Sequence, residues 1–294
     1  MSSVLENLIS GITSGSLYAL YALGIAVIFG IMRLVNFAHG ELIMSGTYAV
    51  FLAAGLPVPL QIAVALAAPL VLALGMERVA FRPIRGASPG TLLVTSFALS
   101  FLLQSLATLI FGTLPKAANI APALQGSVGL LGLTVARLDL VTIAVTLALL
   151  GGVGAFLSRT RFGAQMRASA EDFTMARLLG VKADRVIAAA FAISGMLAGI
   201  AGFLLMAQTG TATPTDGLYP LLFGLVATVV GGLGSLWGAV LGGYLVGLLS
   251  TLLQVTLPDS IRPYHDAFVF GAIFFFLVFR PSGLVVPRIA RTRV

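Results

Sequence analysis

The sequence predicts an all-α membrane protein, a polytopic helical bundle of about 8–10 segments that includes short, broken helices. Of its 294 residues, 59% are hydrophobic and only 9% are charged, whereas soluble domains are roughly 45–50% apolar. Several apolar windows approach or exceed the ~20 residues that a helix needs to cross a bilayer. These runs are continuous and do not alternate with polar residues, which indicates helices rather than transmembrane strands.

The apolar segments predict where the membrane helices lie. At ~1.5 Å per residue, segments 41–55 and 218–232 are too short to be comfortable spans. The first follows NFAHGE (36–41) and the second runs into GGLGS (231–235). Short, interrupted helices in the two halves of a chain point to a transport pathway. The approximate bounds of all the segments are 8–31, 41–55, 60–81, 91–112, 139–158, 186–207, 218–232, 236–257 and 265–280.

Residues 159–185, which we call the charged segment, differ from the rest of the chain. They carry six of the 17 Lys and Arg and three of the ten Asp and Glu, so they must lie in water between two apolar spans. We predict one short helix over about 169–179, with Glu171 and Asp172 in its first turn, where the positive helix dipole favours acidic groups. Gly180 would close it in a left-handed conformation. The segment is therefore either a docking surface for a soluble partner or a solvated basic loop.

Basic residues lie beside the span ends, a pattern typical of cytoplasmic loops. Only Lys116, Arg137 and Arg262 would lie outside. We therefore expect a single transmembrane domain over 1–294, with its N-terminus outside and its C-terminus in the cytoplasm. The first basic residue is Arg33, so nothing indicates a cleaved signal peptide. The basic loops are those of Arg78, Arg82 and Arg85, the charged segment, and the tail with Arg280, Arg288, Arg291 and Arg293.

Motifs for catalysis are missing from the sequence. It contains no phosphate-binding G-x-x-x-x-G-K-[ST] loop, no H-E-x-x-H and no G-x-S-x-G. His39 and His265 are its only histidines, and it has no cysteine, which excludes disulfides and cysteine-ligated zinc. We expect no enzymatic activity, no metal and no cofactor. The net charge of +7 follows the membrane loops, so it does not indicate nucleic acid as a partner.

Four residues at the first break are candidates for the translocation pathway: Asn36, His39, Gly40 and Glu41. Ionisable groups near the membrane are functional candidates, and helix N-termini with unwound carbonyls can bind both ends of a zwitterion. The alternative is structural. Asn36 would then cap the next helix, and His39 and Glu41 would lie at the cytoplasmic interface near Arg33.

Glycines recur at four-residue spacing in the second half of the chain, a pattern that lets helix backbones approach closely. This spacing predicts helix packing rather than chemistry. The glycines concerned are Gly195, Gly199, Gly234, Gly238 and Gly242.

Several motifs in the same order resemble branched-chain amino-acid ABC transporter permeases of the LivH type. They are NFAHGE at 36–41, RASAEDFTMARLLGV at 167–181 and the GGLGS-x-x-GA-x-x-GG block from Gly231. The resemblance extends over nearly the whole chain, including 11–48, 82–104 and 266–284. It implies a fold similar to type II ABC importer permeases, in the cytoplasmic (inner) membrane of a prokaryote.

The same resemblance implies several partners. They are a second, related permease subunit of the LivM kind, two ATP-binding subunits, a periplasmic substrate-binding protein and membrane lipid. It also implies that the ATPase couples to the charged segment, although the E-A-A-x-x-x-G form is not matched because Asp172 and Phe173 follow Glu171. The implied coupling residues are Arg167, Ala170, Glu171, Asp172, Ala176, Arg177, Leu178 and Gly180.

The substrate is left open by these motifs. Branched-chain or related amino acids are expected, but similar permeases serve importers of urea, amides and other small polar solutes. A stand-alone channel or secondary carrier is a further alternative. It would need an ionisable residue deep within a span to bind a coupling ion, and the central parts of the predicted spans contain none.

Overall fold

A computed structural model describes residues 2–130 and 133–285 of the chain. The first half contains α1 (Ser2–Met32), α2 (His39–Leu52), α3 (Val58–Met76) with a π-helical end (Glu77–Phe81), and α4 (Pro89–Phe111). The second half contains α5 (Arg137–Arg159), α6 (Arg161–Glu171), α7 (Phe173–Leu178), α8 (Ala183–Thr209), α9 (Leu218–Gly231), α10 (Leu236–Thr256) and α11 (His265–Phe279). Short strands also occur: β1 (Lys116–Ala117), β2 (Ser127–Leu130), β3 (Leu133–Ala136) and β4 (Thr211–Ala212).

The prediction of a polytopic helical membrane protein is confirmed. Within the described ranges, seven helices are long and apolar enough to cross a membrane: α1, α3 with its π-helical end, α4, α5, α8, α10, and α11 with the turn before it. The two segments predicted to be short are α2 and α9, each of 14 residues. The strands form two small antiparallel pairs, β1 with β4 and β2 with β3.

The described residues group into two compact units. The first unit draws on 2–23, 121–130, 133–150 and 223–285, and the second unit on 24–120 and 151–222.

In the first unit, glycines of α10 bring this helix directly onto α1 and α9. A side chain at Gly243 would overlap the backbone at Ala19, and one at Gly242 would overlap the carbonyl of Ala227. Gly238 meets the backbone of Gly231 in the same way. Glycine is needed at these positions because the helix backbones themselves are in contact.

The prediction that Gly234 packs one helix against another is wrong. Gly234 lies in the turn before α10 with a φ of +88°, and nothing lies near the place where its Cβ would be. Glycine adopts the left-handed conformation without steric cost, which explains why glycine occupies this position. Ser235 follows as the N-cap of α10, and its Oγ accepts a hydrogen bond from the backbone N of Gly238 at 3.0 Å.

In the second unit, α8 lies against both α2 and α3. An added Cβ at Gly195 would come within 2.8 Å of the Pro69 carbonyl oxygen, and one at Gly199 would overlap the carbonyl of Ala65. On the α2 side, a Cβ at Gly202 would approach the Ile43 carbonyl oxygen at 2.6 Å. Small residues on both sides of α8 therefore hold α2 and α3 in fixed positions.

Candidate functional site

The helical path of the chain is interrupted between α1 and α2. Residues 33–36 have no regular structure and a turn follows, so that α2 begins only at His39. Arg33 stands at the start of this break with a φ of +51°, a left-handed conformation that is uncommon for residues other than glycine, asparagine and aspartate. The break turns the chain back towards the interior of the second unit.

Three polar side chains at the break are almost fully buried: Asn36 at 2% exposure and His39 and Glu41 at 1% each. Asn36 Oδ1 accepts a hydrogen bond from the backbone N of Ala38 at 3.1 Å. Glu41 Oε1 accepts one from Ser100 Oγ of α4 at 2.8 Å. Buried polar groups of this kind normally have hydrogen-bond partners. Here the Ala38 backbone serves Asn36 and Ser100 serves Glu41.

His39 is held by Ser194 of α8. The Ser194 hydroxyl donates to the backbone carbonyl of Gly24 at 3.0 Å and lies 3.1 Å from His39 Nδ1. Since the hydroxyl has one hydrogen, Nδ1 must donate to Ser194 Oγ, which assigns the hydrogen of the neutral ring to Nδ1. Gly24 is required here, because a Cβ would lie 2.6 Å from His39 Cε1.

The partners of His39 and Glu41 show how deep the break lies. Ser194 is eleven residues from the start of α8, and Ser100 is eleven residues from the start of α4. Each is therefore about 16 Å along its helix, close to half of the ~30 Å hydrocarbon thickness of a bilayer. Both serines thus lie in the central parts of α4 and α8, and the roles of His39 and Glu41 stay predictions.

Gly40 places the start of α2 against the start of α9. A Cβ on Gly40 would overlap the carbonyl of Gly217, and a Cβ on Gly217 would overlap the backbone of Gly40. The preceding residue, Asp216, accepts hydrogen bonds from the backbone N (2.8 Å) and Oγ1 (2.5 Å) of Thr213. Two helix N-termini meet at this point, where the His39 N–H is bonded to the Asn36 carbonyl and the Leu218 N–H to the Thr215 carbonyl.

Two buried polar atoms at the break have no hydrogen-bond partner among the described residues. They are the Glu41 Oε2 acceptor and the Asn36 Nδ2 donor. A buried unpaired group costs about 1–3 kcal/mol, so each such group calls for an explanation. They offer an acceptor for an ammonium group and a donor for a carboxylate.

The prediction of a single helix over about 169–179 is wrong. Two helices, α6 and α7, share this range. Thr160 caps a helix that starts eight residues earlier, at Arg161, because its Oγ1 accepts from the backbone N of Gly163 at 2.9 Å. This helix, α6, already ends at Glu171. Glu171 therefore lies in a last turn and not in a first turn.

Asp172 separates α6 from α7. Its backbone is extended (φ −144°, ψ 103°), and its Oδ1 accepts from the backbone N of Met175 at 2.9 Å as the N-cap of α7. Gly180, with a φ of +85°, ends α7 as predicted. The Val181 N–H bonds to the Ala176 carbonyl and the Gly180 N–H to the Arg177 carbonyl, both at 3.0 Å, which is the Schellman arrangement.

The predicted coupling residues do not all share one surface. Ala176 is buried and Ala170 is partly buried. Leu178 and Leu179, in contrast, are 77% and 84% exposed, far more than apolar side chains that have a packing partner. The remaining predicted residues are exposed: Arg167, Glu171, Asp172, Arg177 and Gly180.

Arg33 connects the helix break with the charged segment. Its Nη2 lies 3.5 Å from the carbonyl oxygen of Ala170 and 3.4 Å from that of Glu171. These carbonyls form the negative C-terminal end of α6, where a cation is favourable. The residues predicted for the pathway and for coupling are thus bridged by a side chain that the sequence did not identify as a link.

Sequence reasoning missed several residues at the break. Ser96 accepts from the backbone N of Phe37 at 3.3 Å, and Ser194 binds His39. A serine within an apolar span was the only local signal for these two. Gly217 had no local signal, because its contact with Gly40 depends on how distant parts of the chain fold together.

Comparisons with known proteins agree over nearly the full length. A family model described as "Branched-chain amino acid transport system / permease component" matches residues 7–278. The chain is 35% identical to the high-affinity branched-chain amino acid transport system permease protein BraD of Pseudomonas aeruginosa, over 96% of this chain and 95% of BraD. It is 32% identical to LivH of Escherichia coli K12, a permease protein with the same description, with the same coverage.

A more distant relative also matches. The probable branched-chain amino acid transport permease protein LivH of Methanocaldococcus jannaschii is 26% identical over 92% of this chain and 87% of its own length. No solved structure matches the chain.

Proposed function

This chain belongs to the family of branched-chain amino acid transport system permease components, and on that premise we propose that it carries branched-chain amino acids across a prokaryotic cytoplasmic membrane as the permease of an ATP-driven importer. The observation that carries the proposal is the identity of 35% over 96% of the chain to a high-affinity permease for these amino acids. A match of this extent includes both the helix break and the charged segment.

The energy for transport would come from separate ATP-binding subunits. The sequence has no phosphate-binding G-x-x-x-x-G-K-[ST] loop, so ATP hydrolysis has to take place on a partner. The exposed Leu178 and Leu179 of α7, next to the basic Arg177, form the surface that such a partner would cover. Two ATP-binding subunits, a second related permease and a periplasmic substrate-binding protein complete the proposed assembly.

The pathway would pass the helix break at Asn36, His39, Gly40 and Glu41. An α-amino acid carries an ammonium and a carboxylate, and Glu41 Oε2 and Asn36 Nδ2 are an acceptor and a donor without partners among the described residues. The positive N-terminal ends of the α2 and α9 dipoles would also favour the carboxylate. Gly40 and Gly217 keep these two starts in contact.

The proposed orientation has the N-terminus outside and the C-terminus in the cytoplasm. Support comes from the second unit, in which Arg82 and Arg85 bind Asp184 and Arg33 contacts the end of α6. Basic residues from three loops therefore meet at one end, as expected for the cytoplasmic side. The basic tail at 286–294, on which the position of the C-terminus depends, lies outside the described residues.

Uptake by reconstituted protein tests the proposal. The chain is placed in proteoliposomes with its partner subunits, with binding protein outside and ATP inside, and uptake of radiolabelled leucine is measured. We expect uptake that needs both ATP and binding protein and is inhibited by excess isoleucine or valine but not by urea. Equal uptake by the chain alone without ATP would show a channel or secondary carrier, and inhibition by urea but not by isoleucine would reassign the substrate.

A further inference from the structure

Four charged residues form a cluster at the C-terminal end of the charged segment. Arg82 and Arg85 follow the π-helical end of α3, and Asp184 lies in the first turn of α8. Arg82 Nη2 is 2.5 Å from Asp184 Oδ2. Arg85 pairs with Asp184 through one nitrogen and with Glu77 through another. Arg85 thus bridges a carboxylate on α3 and a carboxylate on α8, 107 residues apart.

The two sides of this cluster differ in exposure. The side chains of Arg85 and Glu77 are only 18% and 7% exposed, whereas those of Arg82 and Asp184 are 43% and 56% exposed. Removing one partner of a buried pair leaves an uncompensated charge and is strongly unfavourable, so Glu77 holds Arg85 in place. Asp184 is the accessible member, and it joins this fixed arginine to the start of α8.

Close packing next to the cluster holds α3 and α8 together. Gly195 and Gly199 bring α8 onto the α3 backbone, and the ring of Phe81 lies 5.3 Å from that of Phe191. Phe81 belongs to the π-helical turn that leads to Arg82. The same α8 carries Ser194, which holds His39 at the helix break.

The charged segment continues into α8, and Asp184 lies in the first turn of that helix. Gly180 closes α7, and only residues 181–183 separate it from Asp184. A displacement of α7 therefore reaches α8 at its first turn. Without the ion pairs, the free end of α8 could fray and absorb the displacement, because the first turn of a helix lacks intrahelical partners for its N–H groups.

We propose that Asp184, held by Arg82 and Arg85, is the joint through which movement of the charged segment is transmitted to α3 and α8 and thereby to the helix break. Asp184 acts here as a positioning residue, which contacts neither substrate nor ATP. This inference rests on the proposed function, since it needs an ATPase that moves the charged segment.

The test compares ATP consumption with transport in proteoliposomes of the complete transporter. Asp184→Asn keeps the shape of the side chain and removes its charge. We expect the number of ATP molecules hydrolysed per leucine transported to rise about fivefold or more, the range in which coupling between two sites is measurable. The matched control is Asp259→Asn, which removes the exposed pair with Arg262 and should leave this ratio at the wild-type value.

A charge exchange separates coupling from folding. Asp184→Arg alone should uncouple transport, and the double variant Arg82→Asp with Asp184→Arg should bring the ratio back towards wild type, because opposite charges face each other again. A ratio within twofold of wild type for Asp184→Asn would overturn the proposal. Loss of ATPase copurification in that variant would also overturn it, since the cluster would then serve assembly. Failure of the proposed function is recognised separately, because wild-type uptake would then not depend on ATP.

Discussion

Glu41 is the most unusual residue of the helix break. Its carboxyl group is almost fully buried, and it has one hydrogen bond, from Ser100. Carboxylates inside a membrane protein are costly and usually mark a functional site. We propose that its Oε2, which has no partner among the described residues, accepts a hydrogen bond from a substrate ammonium group.

Replacement of Glu41 by glutamine tests this role. Glu41→Gln keeps the volume and the hydrogen bond with Ser100 but removes the charge that would attract an ammonium group. Charge-assisted hydrogen bonds are worth about 1.5–3 kcal/mol, so we expect leucine uptake to fall by roughly tenfold or more with an unchanged melting temperature in detergent. The control is Glu6→Gln, at an exposed position of α1. Normal uptake in Glu41→Gln would remove Glu41 from the pathway.

Gly217 is expected to tolerate no side chain. In Gly217→Ala the new methyl group would overlap the backbone of Gly40, and overpacking of this kind costs roughly 1–3 kcal/mol. We expect a lower melting temperature and reduced uptake. Gly75→Ala is the matched control, because Gly75 lies in α3 with nothing near its Cβ position, and alanine favours a helix by about 0.5–1 kcal/mol. Equal melting temperatures in the two variants would contradict the close contact.

At the scale of elements, the division of the charged segment into α6 and α7 depends on Asp172. This residue ends one helix in an extended conformation and caps the next through Met175 N. The carboxylate therefore acts as a hydrogen-bond acceptor that orients α7, and with it Leu178 and Leu179. Its negative charge is a secondary property.

Two substitutions distinguish capping from charge at Asp172. Asparagine is as good an N-cap as aspartate, whereas alanine loses about 1 kcal/mol of capping energy. We therefore expect Asp172→Asn to copurify with the ATP-binding subunits and to transport leucine much as wild type does. Asp172→Ala should lose part of both. If Asp172→Asn is as impaired as Asp172→Ala, the charge and not the cap is what the partner requires.

Most helices could be predicted from the sequence, because a membrane imposes long apolar runs. The segments predicted at 91–112 and 236–257 are α4, Pro89–Phe111, and α10, Leu236–Thr256. The break at Asp172 could not be predicted in this way. One helix was predicted over about 169–179, and the extended backbone of Asp172 interrupts that range.

The candidate site could be predicted in part. Asn36, His39 and Glu41 stood out as polar residues beside a short helix. Their burial and their serine partners depend on tertiary packing, and so does the contact between Gly40 and Gly217. The ion pairs of Asp184 with Arg82 and Arg85 likewise join residues about a hundred positions apart, which no local pattern reveals.

At the scale of the whole molecule, the chain is a permease that contains a buried polar break and, in the same compact unit, an exposed charged segment. Arg33 contacts the end of α6, and the ion pairs of Asp184 join the end of the charged segment to the residues after α3. We propose that the break binds the substrate, that the helices transmit movement and that a partner docked on α7 supplies the energy.

Photocrosslinking from α7 tests that claim most directly. The chain contains no cysteine, so the variant Leu179→Cys can be labelled uniquely with a benzophenone reagent before the partner subunits are added. Leu114→Cys, at an exposed position after α4, serves as the control at the opposite end. We predict an ultraviolet-dependent product between the Leu179→Cys variant and an ATP-binding subunit, and none from Leu114→Cys. A transport-active complex in which only Leu114→Cys crosslinks to that subunit would contradict the account.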